Sequence, residues 1–211
     1  SATLSVAALS QVGEFQVNTH TNSGQDNSNI AMDAEGNFVI CWSSNFQDGS
    51  SFGVYAQRYT NQGIPLGSEF RVNTSTTGGQ ASLSTAMDSD GDFVVTWQSG
   101  HTGDNEIYAR RYNSLGVPQG GEFIVNTFTT GEQRRPFVAM DASGNFTLIW
   151  NSINQETNLN IYGQRYNALG VAQGGEFRIN EPVGISTVLE QSVQDNPIAM
   201  NDSGAHVVAW T

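Results

Sequence analysis

Four tryptophans, Trp42, Trp97, Trp150 and Trp210, and four methionines, Met32, Met87, Met140 and Met200, recur along the chain with the same steps of 55, 53 and 60 residues. Each pair sits in one recurring stretch. Asn29–Ser43 reads Asn-Ile-Ala-Met-Asp-Ala-Glu-Gly-Asn-Phe-Val-Ile-Cys-Trp-Ser, and versions of it begin at Ser84, Phe137 and Pro197. A period of this size marks one supersecondary unit built several times, each copy burying against its neighbour a face it cannot bury alone. The chain must therefore fold as an array or a ring of equal units, and the search for function becomes a search for what differs between them.

Each unit resolves into four short apolar runs, a to d. Run a (Ile30–Asp33) turns through Ala34-Glu35-Gly36-Asn37 into run b (Phe38–Ser43), and an Asp-x-x-Gly turn favours a tight hairpin. Run c is Val54–Tyr59, repeated at Ile107–Tyr112 and Ile161–Tyr166, with aromatic residues at strand spacing. Run d is Glu69–Asn73, matched by Glu14–Asn18, Glu122–Asn126 and Glu176–Asn180. No amphipathic helical period appears, and 23 glycines with only 13% charged residues suit many turns between short strands. The chain is read as all-β.

The ends settle the arrangement. The chain opens on a degenerate run c (Thr3–Leu9) and a good run d (Glu14–Asn18), and it closes on runs a and b (Ile198–Met200 and His206–Trp210). These halves add up to one unit, as they would where first and last strands share a sheet and no edge is left exposed. The expectation is a single-domain β-propeller over 1–211, with four four-stranded blades. The units are about 29–83, 84–136, 137–196, and 197–211 with 1–28. A linear β-solenoid is the alternative, and it leaves the half-units unexplained. In the propeller, Ala31, Ala86, Ala139 and Ala199 line a narrow axis, and the Met and Trp series fill the space between blades. Arg58, Arg111 and Arg165, near Glu69, Glu122 and Glu176, are expected to form a repeated ion pair or to bond turn carbonyls.

Eight basic against twenty acidic residues give a net charge of −12, which repels nucleic acid and anionic membrane surfaces. The lone Cys41 excludes an intrachain disulfide and is expected to be a buried thiol. No segment is long and apolar enough to suggest membrane insertion.

Strand direction places the a–b and c–d turns at one monotonous end and the b–c and d–a connections at the other, where the units differ most. Any site is expected there. The candidate ligand-binding residues are Phe46, Asp48 and Phe52 in the first b–c loop, His101, Asp104 and Asn105 in the second, and Gln155 and Asn158 in the third. Planar acids and amides bond sugar hydroxyls and aromatic rings cover apolar sugar faces, so a glycan suits these loops best. Asp88, Asp90 and Asp92 resemble an oxygen-rich calcium loop, although the shared feature of the units is the turn itself. No cofactor is expected beyond that calcium. An enzyme would need groups that break the repeat, and these are Gly131–Arg135 and, in the long last connection, Glu181, Glu190 and Asp195. There is no Gly-x-Ser-x-Gly elbow, zinc-ligand spacing or phosphate loop.

Together, Tyr55-Ala-Gln-Arg-Tyr59, Gly67-Ser-Glu-Phe-Arg-Val-Asn-Thr74 and Asp33-Ala-Glu-Gly-Asn-Phe-Val39 resemble the tandem repeats, about fifty residues long, of large secreted or surface proteins of cyanobacteria and other bacteria. Some of those proteins also bear calcium-binding RTX-type repeats. The resemblance implies an extracellular or surface setting and a propeller-like module, and it carries over no catalytic residue. The resulting expectation is a non-catalytic extracellular recognition module, lectin-like, meeting a glycan or a cell-surface or matrix component on the variable end. A structural unit of an adhesin, matrix or filament, working by self-association, is the second reading, and a glycoside hydrolase the third.

Overall fold

The computed structural model describes residues 13–101, 103–155, 159–180 and 197–210. They form fourteen strands. The first blade holds β1 (Gln25–Met32), β2 (Phe38–Asn45), β3 (Phe52–Tyr59) and β4 (Phe70–Arg71), hydrogen-bonded in that order. The second holds β5 (Gln80–Met87), β6 (Phe93–Ser99), β7 (Glu106–Tyr112) and β8 (Phe123–Ile124), and the third β9 (Gln133–Met140), β10 (Phe146–Ile153), β11 (Leu159–Tyr166) and β12 (Phe177–Arg178). β13 (Ile198–Met200) and β14 (His206–Val208) form a hairpin. All pairings are antiparallel, and runs a to d become successive strands as the repeats imply.

The register explains the recurring aromatics. Phe38 lies opposite Tyr59, Phe93 opposite Tyr112 and Phe146 opposite Tyr166, with rings stacked at centroid distances of 5.1, 4.9 and 4.9 Å. Such cross-strand pairs fix register and contribute beyond their buried area. The run a strands are innermost: β1 touches β5, β5 touches β9, and β9 touches β13. The chain is thus an all-β propeller of four-stranded blades around an axis.

Its core lies between blades rather than within them. Trp97 packs with Cys41, Val54 and Val72 of the first blade, and Trp150 with Val94, Ile107 and Val125 of the second. The same relation places the N-terminal segment. Phe15 meets Tyr59 at 5.3 Å as Phe70 meets Tyr112 at 5.4 Å and Phe123 meets Tyr166 at 5.5 Å. Tyr59, Tyr112 and Tyr166 donate their hydroxyls to the carbonyls of Val17, Val72 and Val125. Glu14–Asn18 is therefore run d of the blade before the first. β13 and β14 lie against the third blade and this segment against the first, the two sides that a shared fourth blade would border. Run c at Thr3–Leu9, which would join the two, lies outside the described residues.

That seam corrects part of the packing expectation. Trp42, Trp97 and Trp150 are 3%, 1% and 0% exposed, but Trp210 is 42% exposed and Met32 57%. Ala86 and Ala139 are buried, Ala31 half-buried and Ala199 exposed. Met32 faces the seam, where the described residues supply no preceding blade to cover it, whereas Met87 and Met140 lie against the first and second blades. Cys41 is fully buried, and burial pushes its thiol up to about 12, which fits a packing role.

The arginine and glutamate series also separate. Arg58 donates to the backbone carbonyls of Ser114 and Leu115, in the c–d loop of the next blade. Glu69, Glu122 and Glu176 instead accept the backbone N–H of Thr19, Thr74 and Thr127, at the end of run d in the preceding blade. Of the two expectations, the bond to turn carbonyls holds for Arg58 and the repeated ion pair does not form. Among the described residues the salt bridge is Arg134 with Glu132. Replacing Trp97 with Ala should cost about 3–5 kcal/mol of stability, whereas Trp210→Ala should cost under about 1 kcal/mol. The urea midpoints of the two variants measure the difference.

Candidate functional site

The two ends of the propeller are built differently. At the a–b end, Asp33 accepts the N–H groups of Glu35 and Asn37 on Oδ1 and the side-chain amide of Asn37 on Oδ2, and Asp141 repeats the pattern with Ser143 and Asn145. Gly36, Gly91, Gly144 and Gly204 take φ between 81° and 88°, which the turn requires and a side chain would resist. Asp88 fits the same scheme: its Oδ1 takes the N–H of Asp90 and Asp92. Asp92 Oδ1 is taken by the N–H of Ser114, and Asp90 Oδ1 faces the Ser89 hydroxyl. Burial raises the Asp88 carboxyl above the ordinary range; the turn N–H groups of Asp92 and Asp90 oppose this, and the charges of those two residues add to it. Among the described residues no three His, Cys, Asp or Glu side chains are grouped to hold a metal ion. The three carboxylates build a turn.

At the other end, run a carries the same irregularity in three blades. Asn27, Ser82 and Arg135 have φ of 52°, 49° and 52°, and the ladder slips beside each of them. A bulge of this kind turns its side chains off the strand's alternation, and left-handed φ in a residue with a side chain costs roughly 1–3 kcal/mol. The sequence shows the bulge only as a recurring glutamine, Gln25, Gln80 and Gln133, seven positions before each methionine.

The predicted loop residues fall into three separate places. In the first blade Phe46 is 64% exposed with φ of 59°, Phe52 is half-buried, and Asp48 Oδ1 caps Ser50 N. The other oxygen of Asp48 folds over Gly53, where an added Cβ would lie 2.8 Å from it. In the third blade Gln155 accepts from Ser152 and donates to Glu176, a structural tie, and Asn158 lies outside the described residues. Glu181, Glu190 and Asp195 lie outside them too.

The second blade differs. Asp104 Oδ2 accepts the N–H of Gly131 at 3.1 Å, and Asn105 takes the N–H of Gln133 on its backbone carbonyl at 2.7 Å. Asn105 Nδ2 lies 3.5 Å from Glu132 Oε2, and Glu132 pairs with Arg134. The b–c loop is thereby laced to Gly131–Arg135, the other symmetry-breaking stretch. His101 is clamped beside it, Nδ1 against Ser99 Oγ at 2.8 Å and Nε2 3.4 Å from Tyr108 OH.

The sequence reading does not single out Glu106, which lies next in the chain after this loop. In β7 it stands where the first and third blades have Gly53 and Asn160, so it is an acid in one unit only. It is 4% exposed. Asn126, whose Oδ1 takes the N–H of Ile107, donates from Nδ2 to Glu106 Oε2. Burial raises the Glu106 carboxyl above the ordinary range; the Asn126 N–H opposes this, and the charge of Asp104 adds to it. Aligning the three run c starts would have found it, because only there does an acid replace a glycine and an amide. A cavity of about 540 Å³ lies elsewhere, between Phe15, Val17, Tyr59 and Pro65. It is a crevice beside the N-terminal segment, and its only carboxylate, Glu69, is spent on Thr19 and Gln47.

No known protein family matches the sequence, and no curated protein matches it. Solved structures do resemble the fold. The endo-arabinase of Bacteroides thetaiotaomicron is similar over 94% of this chain and 75% of its own, at 17% identity and a TM-score of 0.53. The α-L-arabinanase of Penicillium chrysogenum, solved with arabinobiose, is similar over 85% of this chain and 55% of its own, at 14% identity and a TM-score of 0.51. The α-L-arabinofuranosidase of Lactobacillus brevis is similar over 77% of this chain and 59% of its own, at 11% identity and a TM-score of 0.50. At such identities the likeness shows the fold. It also corrects the expectation of a non-catalytic, lectin-like module and of a chain that is no enzyme, because these similar structures are glycoside hydrolases.

A carboxyl whose folded-state pKa is raised stabilises the fold while it is protonated, and loses that contribution as pH rises through the folded value. Glu106→Gln keeps an oxygen for the Asn126 N–H. Its stability relative to the native chain should therefore grow as pH rises from 4 to 8, measured by urea unfolding. A difference that stays flat over that range would deny the raised pKa.

Proposed function

We propose that this propeller is a glycoside hydrolase acting on arabinan-type polysaccharide, with its site between the b–c loop of the second blade and the start of β9. The observation that carries the reading is Glu106, a carboxyl 4% exposed whose proton affinity burial raises, present in one blade only and next to the charge of Asp104. Glycoside hydrolysis needs two carboxyl groups in different environments: a proton-holding one for the leaving oxygen, and an ionised one that attacks the sugar or activates water. Glu106 is the proton donor in this scheme, and Asp104 or Glu132 is the second group.

The surroundings suit a sugar. Asn105 offers an amide to paired hydroxyls, and Phe46 presents an exposed ring for an apolar sugar face on the same end of the propeller. Glu106 is 4% exposed, so in this reading substrate reaches it by a movement of the b–c loop. The arabinan substrate class follows the similar structures, an endo-arabinase, an α-L-arabinanase and an α-L-arabinofuranosidase. The extracellular or surface setting implied by the repeats is compatible with a polymer substrate.

Incubation with linear arabinan should release new reducing ends. Glu106→Gln should lower kcat by roughly 10²–10⁴-fold, the usual worth of a positioned proton donor, with the circular dichroism unchanged. Asp104→Asn and Glu132→Gln, compared side by side, identify the second carboxylate. Full activity in Glu106→Gln, or no hydrolysis across a panel of polysaccharides, would refute the assignment.

A further inference from the structure

The third blade closes two hydrogen bonds that the first leaves open. In the third, Trp150 donates its indole N–H to Gln133 Oε1 at 3.1 Å, and Ser152 donates to Gln155 Oε1 at 2.8 Å. The corresponding residues of the first blade are Trp42 with Gln25, and Ser44 with Gln47. There, Trp42 Nε1, Gln25 Oε1, Ser44 Oγ and Gln47 Oε1 are all buried and all without a partner. Gln25, Trp42 and Ser44 are 5%, 3% and 0% exposed. Buried polar atoms are normally paired, so four orphans at two corresponding contacts call for one cause; Asp48 Oδ2, over Gly53 opposite Ser44, is a further unpartnered acceptor close to them.

The orphans share a neighbourhood. Gln25 lies opposite Ser44 in the ladder, and Trp42 is two residues before Ser44 on the same face of β2. In the second blade the glutamine and serine of this place touch directly, Gln80 Nε2 to Ser99 Oγ at 3.4 Å. The two amide groups have fixed orientations. Gln47 Nε2 donates to Glu69 Oε1 at 2.6 Å and Gln25 Nε2 lies 3.5 Å from Ser23 O, which leaves both carbonyl oxygens for other donors.

We propose that the first blade holds a buried water here, taking the N–H of Trp42 and the O–H of Ser44 and giving its own protons to Gln25 Oε1 and Gln47 Oε1. Two donors and two acceptors are the full complement of one water molecule, and buried waters typically satisfy about three such groups. A metal ion is the wrong occupant, because an indole N–H would point at it. The water replaces both direct bonds of the third blade. It also anchors through solvent the loop that carries Phe46 and Asp48, where the third blade anchors its loop side chain to side chain.

A crystal structure that resolves ordered solvent should show one density peak within hydrogen-bond distance of these four atoms, and none at the corresponding place in the third blade. In solution, the Trp42 indole N–H should give a cross-peak to a long-lived water and the Trp150 indole N–H should not. Direct Trp42–Gln25 and Ser44–Gln47 bonds, a peak explained by an ion or an additive, or indistinguishable indole signals would each overturn the assignment. Neither readout depends on activity, so this inference and the hydrolase reading fail separately.

Discussion

Everything in this propeller depends on a face that no single sheet can cover. A blade presents Trp, Phe and two Tyr on the side toward its predecessor and small aliphatic residues on the side toward its successor. Trp97 is dry because Cys41, Val54 and Val72 lie against it, and Trp150 because Val94, Ile107 and Val125 do. The apolar contact is non-directional, so polar bonds have to set the angle between blades. Arg58 does so at one end and the glutamates of run d at the other, each reaching the backbone of an adjoining blade. Where a neighbour is lacking, a residue of that face lies open, as Met32 shows.

Much of this was legible in the sequence because strand physics is local and the units repeat. The a–b turn, the aromatic spacing of run c and the half-units at the ends each point to their place without reference to anything distant. The direction of Arg58 was half legible: a bond to turn carbonyls was foreseen, but which blade supplies them depends on the rotation between sheets. The bulges at Asn27, Ser82 and Arg135 were illegible, since positive φ in Asn, Ser and Arg leaves no compositional trace.

The candidate site was legible in its end of the propeller and in its loop, but not in its chemistry. His101, Asp104 and Asn105 were found as loop residues with polar groups, and Gly131–Arg135 as a break in the repeat. That the two stretches meet follows only from the ring. Glu106 escaped because in the sequence it closes a polar loop, and its raised proton affinity comes from burial, which appears only once the blades are assembled. Lectin-like and catalytic surfaces draw on the same residue types, so the loop composition alone did not separate the recognition reading from the hydrolase reading.

The guanidinium of Arg58 grips only the carbonyls of Ser114 and Leu115, and nothing in that grip inspects their side chains. Leu115 stands 73% exposed directly above it. Sequence is consequently free to drift at Ser114 and Leu115, whereas Gly116 beside them is held, because a Cβ there would lie 3.0 Å from Arg58 Cδ. A scaffold held by its main chain in this way can acquire new surfaces by substitution while its geometry is inherited unchanged.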